Sequence, residues 1–234
     1  CARDGYTWTG TAVQDKSLYV NLYSQSTANI RIKNTQVDLT QITRFPWEGN
    51  VLIKVQPAKA AKFVLKLRIP GWADNSVVPS DLYSFTDVQA VPVIVLVNGT
   101  AISTVSKKGY ISIERIWKKG DNVELQLPMT VRRIKANANI SDDRGKIALQ
   151  RGPVMYCLEA TDQVDKQVFN KYLPDFVVFN TEYKPNMLNG ITVLTGVGRE
   201  LHKDTVGYYE EIVPFTAIPY ATWNNRGTGE MAVW

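Results

Sequence analysis

Apolar and polar residues alternate with a period of two along most of this chain, and no stretch sustains the 3.6-residue stripe of an amphipathic helix. Strands are therefore the building element. Leu18, Val20 and Leu22 alternate with Tyr19, Asn21 and Tyr23; Val51, Ile53 and Val55 follow; Phe63, Leu65, Leu67 and Ile69 alternate with Val64, Lys66 and Arg68. Each series predicts one side of a half-buried strand. Val93, Val95 and Val97 run into Asn98-Gly99, the favoured pair for a tight hairpin because both positions tolerate positive φ. Tyr110–Trp117 and Val123–Leu127 are further strands, separated by the Lys118-Lys119-Gly120-Asp121 turn, and Pro128 ends the ladder.

Strands spaced by about 8–12 residues with turn residues between them, and no crossover helices, predict antiparallel β-sandwiches and not a parallel sheet. A second set begins near Arg132, with Ile147–Leu149 and Val154–Leu158 broken by Arg151-Gly152-Pro153, and continues through Ile191–Leu194 to Ala217–Ala221. The stretch Thr161–Asn189, with Pro174 and Pro185, is weakly patterned and reads as long loops holding at most short strands or one helical turn. A domain boundary falls near Pro128–Arg133, with no Gly/Ser-rich or Pro-rich linker to mark it.

The 234 residues allow one or two cores, and 44% hydrophobic, 21% charged and 10% aromatic residues describe an ordinary globular chain. The longest apolar stretch, Val91–Val97, is broken by Pro92 and is far below the roughly 18 residues a spanning helix needs, so no membrane span is expected. The net charge of +5, from 27 basic and 22 acidic residues, is scattered. Lys107-Lys108, Lys118-Lys119 and Arg132-Arg133 read as solvated charge at strand ends, and no aromatics interleave with them as nucleic-acid stacking platforms would. Cys157 lies in an apolar run and reads as a small buried hydrophobe. The opening Cys1-Ala2-Arg3-Asp4, with neither an initiator Met nor a leader pattern, predicts that the gene product starts upstream.

Catalytic motifs are sparse. His202 is the single histidine and has no partner at ligand spacing, which argues against a metal centre and against a Ser-His-Asp triad. Gly196-Val197-Gly198 lacks the third glycine and the following helix of a nucleotide loop. Asp142-Asp143 and Glu210-Glu211 are adjacent pairs, and neighbours on a strand point to opposite faces, so neither pair converges as a glycosidase needs. The tryptophans are more suggestive, because flat rings stack on sugars. Trp117 sits on an alternating strand and reads as packed. Trp47 in Phe45-Pro46-Trp47-Glu48-Gly49 and Trp72 in Ile69-Pro70-Gly71-Trp72 lie on turns, where sugar or inter-domain contact competes with core packing; Trp223 and Arg226 belong to the same candidate set.

Six strings, in order, resemble one family. They are Leu18-Tyr-Val-Asn-Leu-Tyr23, Arg44-Phe-Pro-Trp-Glu-Gly49, Leu67-Arg-Ile-Pro-Gly-Trp72, Gly109-Tyr-Ile-Ser-Ile-Glu-Arg-Ile-Trp117 with Gly120-Asp-Asn-Val-Glu-Leu-Gln-Leu-Pro-Met129, Ile147-Ala-Leu-Gln-Arg-Gly-Pro-Val-Met-Tyr156, and Ile218-Pro-Tyr-Ala-Thr-Trp-Asn-Asn-Arg-Gly227. Together they resemble the C-terminal portion of glycoside hydrolase family 127, the β-L-arabinofuranosidase-like enzymes. The resemblance implies an all-β chain of two antiparallel β-sandwich domains, the second inserted in the first: residues 17–130 with 214–234, then 131–213, with 1–16 a remnant or linker to an N-terminal (α/α)6 barrel. It further implies that the cysteine nucleophile, the zinc ligands and the Glu acid/base of the parent lie in that barrel. No catalytic, cofactor-binding or metal residue carries over onto this chain, and zinc is expected only in the barrel. The implied role is a non-catalytic accessory portion of a bacterial enzyme, cytoplasmic or periplasmic, that hydrolyses arabinofuranosides in plant-derived glycans. The implied partners are the barrel, a carbohydrate and a second copy of the chain. A free-standing carbohydrate-binding or adhesion module is the alternative.

Overall fold

The computed structural model describes residues 6–9, 17–32, 34–88 and 91–234. Cys1 lies outside them. The described residues form strands and 3-10 turns with no α-helix, and they fall into two compact units: residues up to 79 with 88–129, and 80–87 with 130–234.

The first unit is a two-sheet sandwich. One sheet has four strands, in the order Tyr6–Thr9, Ser17–Val20, Ala61–Arg68, Tyr110–Trp117; the other has six, in the order Ser26–Ile32, Thr35–Thr43, Asn50–Pro57, Asp121–Gln126, Ile94–Val97, Thr100–Ala101. All pairs are antiparallel except Ser17–Val20 on Ala61–Arg68, which is parallel. Alternation decides the faces: Leu18, Phe63, Leu65, Leu67, Ile111 and Ile113 of the smaller sheet share one buried core with Val37, Leu39, Ile53, Val55, Val123 and Leu125 of the larger. Trp117 is fully buried, stacked on Phe63 with centroids 5.7 Å apart, and its Nε1 donates to the Phe63 carbonyl at 3.2 Å.

Two local details depart from the period-two reading. The first strand of the core ends at Val20, so Leu22 is half exposed and Tyr23 turns inward, its hydroxyl donating to the Arg68 carbonyl at 2.6 Å. Residues 6–9, within the expected linker, are instead an edge strand paired with Ser17–Val20. The Asn98-Gly99 hairpin forms as its chemistry requires, with φ of 50° and 78° at its two central residues. The Lys118–Asp121 turn is an arch that carries the chain from one sheet to the other. Asp121 holds it, accepting from Lys118 N and Asn98 Nδ2, each at 2.8 Å, with the Arg115 guanidinium 3.6 Å away. Burial pushes the Asp121 carboxyl up, but these hydrogen bonds and charges outweigh it and hold its pKa below the usual value.

The second unit is one curled sheet of nine strands. Its main order is Lys171–Tyr172, Ile191–Lys203, Tyr208–Pro219, Val154–Glu159, Ala148–Arg151, Val131–Ala136, Tyr83–Phe85; Asn180–Lys184 also pairs with Ile191–Lys203, and Met231–Ala232 with Val154–Glu159. Residues 214–219 pair here and not in the first sandwich, so the strand return expected of the C-terminus does not occur. The segment that changes units is 80–87: Tyr83–Phe85 pairs with Val131–Ala136, and buried Arg132 fixes it by lying over the Phe85 ring at 3.5 Å and bonding Asp87 at 3.1 Å. Arg132 is thus a packed cation, whereas the sequence had it as solvated charge. Leu149, Tyr156, Leu194 and Ala217 form the buried centre of this unit. Gly196 and Gly198 make room for the Phe215 ring and Leu173 beside the ladder: a Cβ on Gly196 would lie 2.7 Å from the ring. Within 161–189 the loops hold only Lys171–Tyr172, Asn180–Lys184 and one 3-10 turn reaching Asp162.

Candidate functional site

In the first unit, Trp47 sits in a turn closed by its own N–H to the Arg44 carbonyl at 2.9 Å, with Arg44 and Glu48 paired outside at 2.9 Å. Gly49 lets this turn approach the Leu127 strand end, because a Cβ there would meet the Leu127 carbonyl oxygen at 2.0 Å. Trp72 lies on the 3-10 turn Gly71–Asp74 and packs, partly buried, against the sandwich core. Both rings are half-buried in their own unit, so neither stands as a free ledge.

Trp223 and Arg226 lie together in the second unit. The 3-10 turn Tyr220–Thr222 brings Tyr220 parallel to Trp223, centroids 6.3 Å apart and planes 12° from parallel, with both rings more than a third exposed. Arg226 faces inward. Its two terminal nitrogens fork onto Asp162, each at 2.6 Å, and one also reaches Glu159 at 2.6 Å. The Glu159 and Asp162 side chains are 5% and 7% exposed, and Glu159 also accepts from Asn224 N at 3.1 Å. The hydrogen bond to Asp162, and then that to Glu159, outweigh burial and raise the Arg226 pKa further above its usual value, so the guanidinium stays charged. A bidentate fork on two buried carboxylates is a clamp: it fastens the 222–227 loop to the 160–162 turn. No sequence pattern marks Glu159 and Asp162 as its partners, since about 65 residues separate them from it.

Several other chemistry-bearing residues are engaged structurally. Glu210 pairs with Arg199 at 2.8 Å, while Glu211 lies 3.4 Å from His202, so the adjacent acids do face apart. His202 stacks on Tyr209 with centroids 5.1 Å apart. Lys171 is buried between Asp165 at 2.6 Å and Glu200 at 3.2 Å. Burial, followed by the charges of Glu159 and Asp162, pushes the Cys157 thiol up to about 12, against Arg226, which makes it a poor thiolate source. Among the described residues no three His, Cys, Asp or Glu side chains are arranged to hold a metal ion, so the zinc implied for the family's catalytic region has no fitting donor set here.

Residues 17–129 match the domain described as the β-L-arabinofuranosidase GH127 middle domain, and residues 131–234 match the glycoside hydrolase family 127 C-terminal domain. The boundary between them coincides with the change of unit near 130. A non-reducing end β-L-arabinofuranosidase of Bifidobacterium longum subsp. longum is 29% identical over 91% of this chain, which spans 32% of that protein. A solved GH127 β-arabinofuranosidase superposes with a TM-score of 0.90 at 38% identity, covering 95% of this chain and 35% of the other. The crystal structure of a GH127 β-L-arabinofuranosidase from Geobacillus stearothermophilus T6 gives 0.85 at 35%, covering 99% and 34%. The chain spans about a third of the length of these relatives. Two consecutive domain matches and two close superpositions show that this chain belongs to glycoside hydrolase family 127, as its middle and C-terminal β domains.

Proposed function

We propose that this chain is the non-catalytic β portion of a bacterial enzyme that hydrolyses arabinofuranosides of plant-derived glycans, and that it buttresses an N-terminal (α/α)6 barrel supplying the nucleophile, the acid/base and a zinc site. The observation that carries this is the pair of adjacent domain matches, 17–129 and 131–234, in relatives about three times longer that bear β-arabinofuranosidase names. The chemistry agrees. Glycoside hydrolysis needs one group to protonate the leaving oxygen and another at the anomeric carbon. The candidate groups described above are held by partners of their own: Glu159 and Asp162 by Arg226, Glu200 by Lys171, Glu210 by Arg199, and the Cys157 thiol is buried.

Of the four residues expected at a sugar or domain contact, Trp223 is the one we keep for that role, since its ring and that of Tyr220 are the exposed pair. Trp72 packs on its own sandwich core, Trp47 is half-buried in a turn of the same unit, and Arg226 supports the loop that carries Trp223. A chimera tests the reading: residues 17–234 replace the corresponding third of the Bifidobacterium enzyme, and release of arabinose from a β-L-arabinofuranoside is followed. The reading predicts a folded, active chimera. A folded chimera without activity would overturn it.

A further inference from the structure

The second unit contains a cavity of about 690 Å³ beside its buried centre, with Tyr156 among its walls. That volume falls in the roughly 300–1,000 Å³ range of small-molecule sites. Four aromatic side chains from three segments line it: Tyr156, Phe169 with Tyr172, and Trp234. Trp234 stacks on Tyr83, centroids 5.3 Å apart and planes 29° from parallel. Tyr83 thus fixes the indole that lines the cavity. Tyr172 is anchored from outside, its hydroxyl bonded to Glu210, which Arg199 holds at 2.8 Å. Phe169 is 72% exposed, while its backbone N–H is fixed on the Glu230 carboxylate at 3.3 Å. The Trp234 and Tyr172 rings are each held by a side-chain contact of their own, which lowers the ordering cost of binding.

Besides Lys171, whose charge is met by Asp165 and Glu200, two charged groups line the same cavity, Lys146 and Asp175. Neither makes an ion pair or a side-chain hydrogen bond among the described residues, in a unit where Lys171, Arg199 and Arg226 are all paired with carboxylates. One free ammonium and one free carboxylate sum to zero, which disfavours an ionic ligand. An apolar ligand would offer neither group a hydrogen-bond partner. A sugar satisfies both features: its C–H faces pack on rings, and its hydroxyls accept from an ammonium and donate to a carboxylate.

We propose that this cavity binds a short neutral oligosaccharide of pentose units, with Trp234 and Tyr172 as stacking walls and Lys146 and Asp175 as the hydroxyl-reading groups. The choice of pentose rests on the reading under Proposed function; the site itself rests on the cavity. The test is titration of the chain with arabinose oligosaccharides, read by tryptophan fluorescence and calorimetry. Saturable binding is expected, weakened about tenfold by Trp234→Ala and about fivefold by Lys146→Ala or Asp175→Ala, and unchanged by Lys59→Ala or Asp142→Asn elsewhere on the surface. Should Trp234→Ala fail to fold, the two exposed charge deletions decide. No saturation by about 10 mM sugar, binding indifferent to the three cavity variants, or uptake of an apolar dye that sugar does not displace would each overturn the proposal. An active chimera beside a chain that binds no sugar would sink this site alone; an inert chimera beside a chain that binds would sink the enzymatic reading alone.

Discussion

Replacing Arg226 by Ala separates a clamp from a ligand contact. The guanidinium makes three hydrogen bonds of 2.6 Å to Glu159 and Asp162, whose side chains are 5% and 7% exposed. Its removal leaves two largely buried carboxylates without their cation, and a buried ion pair broken on one side costs roughly 3–5 kcal/mol. For a chain of this length about 2–4 °C is lost per kcal/mol, so the melting temperature should fall by roughly 10 °C. Thermal unfolding by circular dichroism and calorimetry reads this directly. Arg226→Lys should recover only part, because an ammonium cannot fork onto both acids. The triple variant Arg226→Met, Glu159→Gln, Asp162→Asn should recover more, since it removes the stranded charge. A loss under about 1 kcal/mol for Arg226→Ala, the size of an exposed surface pair, would refute the clamp.

Asp121→Asn should lower stability at neutral pH. The folded carboxyl has a depressed pKa, so its contribution is present above the unfolded value of about 3.9 and is lost as pH falls through the folded value. The melting temperatures of wild type and variant should therefore differ at pH 6 and converge towards pH 3. Cys157 should resist a disulfide reagent at pH 8 in the folded protein and react fully in denaturant, because burial holds its thiol at about 12; rapid labelling of the native chain would contradict that burial. Gly49→Ala should destabilise the first unit by at least about 2 kcal/mol, since its Cβ would sit 2.0 Å from the Leu127 carbonyl and backbone has to move; an unchanged denaturant midpoint would refute the close approach.

Strand identity was legible wherever one face is buried, because burial enforces period two: Phe63, Leu65 and Leu67 alternate in sequence and in the core alike. The Asn98-Gly99 hairpin was legible from backbone chemistry alone. Partnering was not. Nothing local says that Tyr110–Trp117 and Asp121–Gln126, four residues apart, enter different sheets, or that Tyr83–Phe85 leaves the surrounding sandwich for the second unit. The resemblance placed residues 214–234 in the first sandwich, whereas Tyr208–Pro219 completes a long hairpin with Ile191–Lys203, an element whose outer half is too exposed to alternate visibly. Candidate site residues fared similarly. Arg226 was identifiable, but its carboxylate partners lie about 65 residues away, and the cavity lined by Trp234 is assembled from five separated segments.

Hydrolysis by the isolated polypeptide bears most directly on the assignment of this chain as a support for a separate catalytic barrel. Incubated at high concentration with a chromogenic β-L-arabinofuranoside, with and without added zinc, the folded protein is predicted to release no product above the buffer rate. Turnover that co-purifies with the monomer peak would contradict the assignment, because it would require a nucleophile and an acid within these 234 residues.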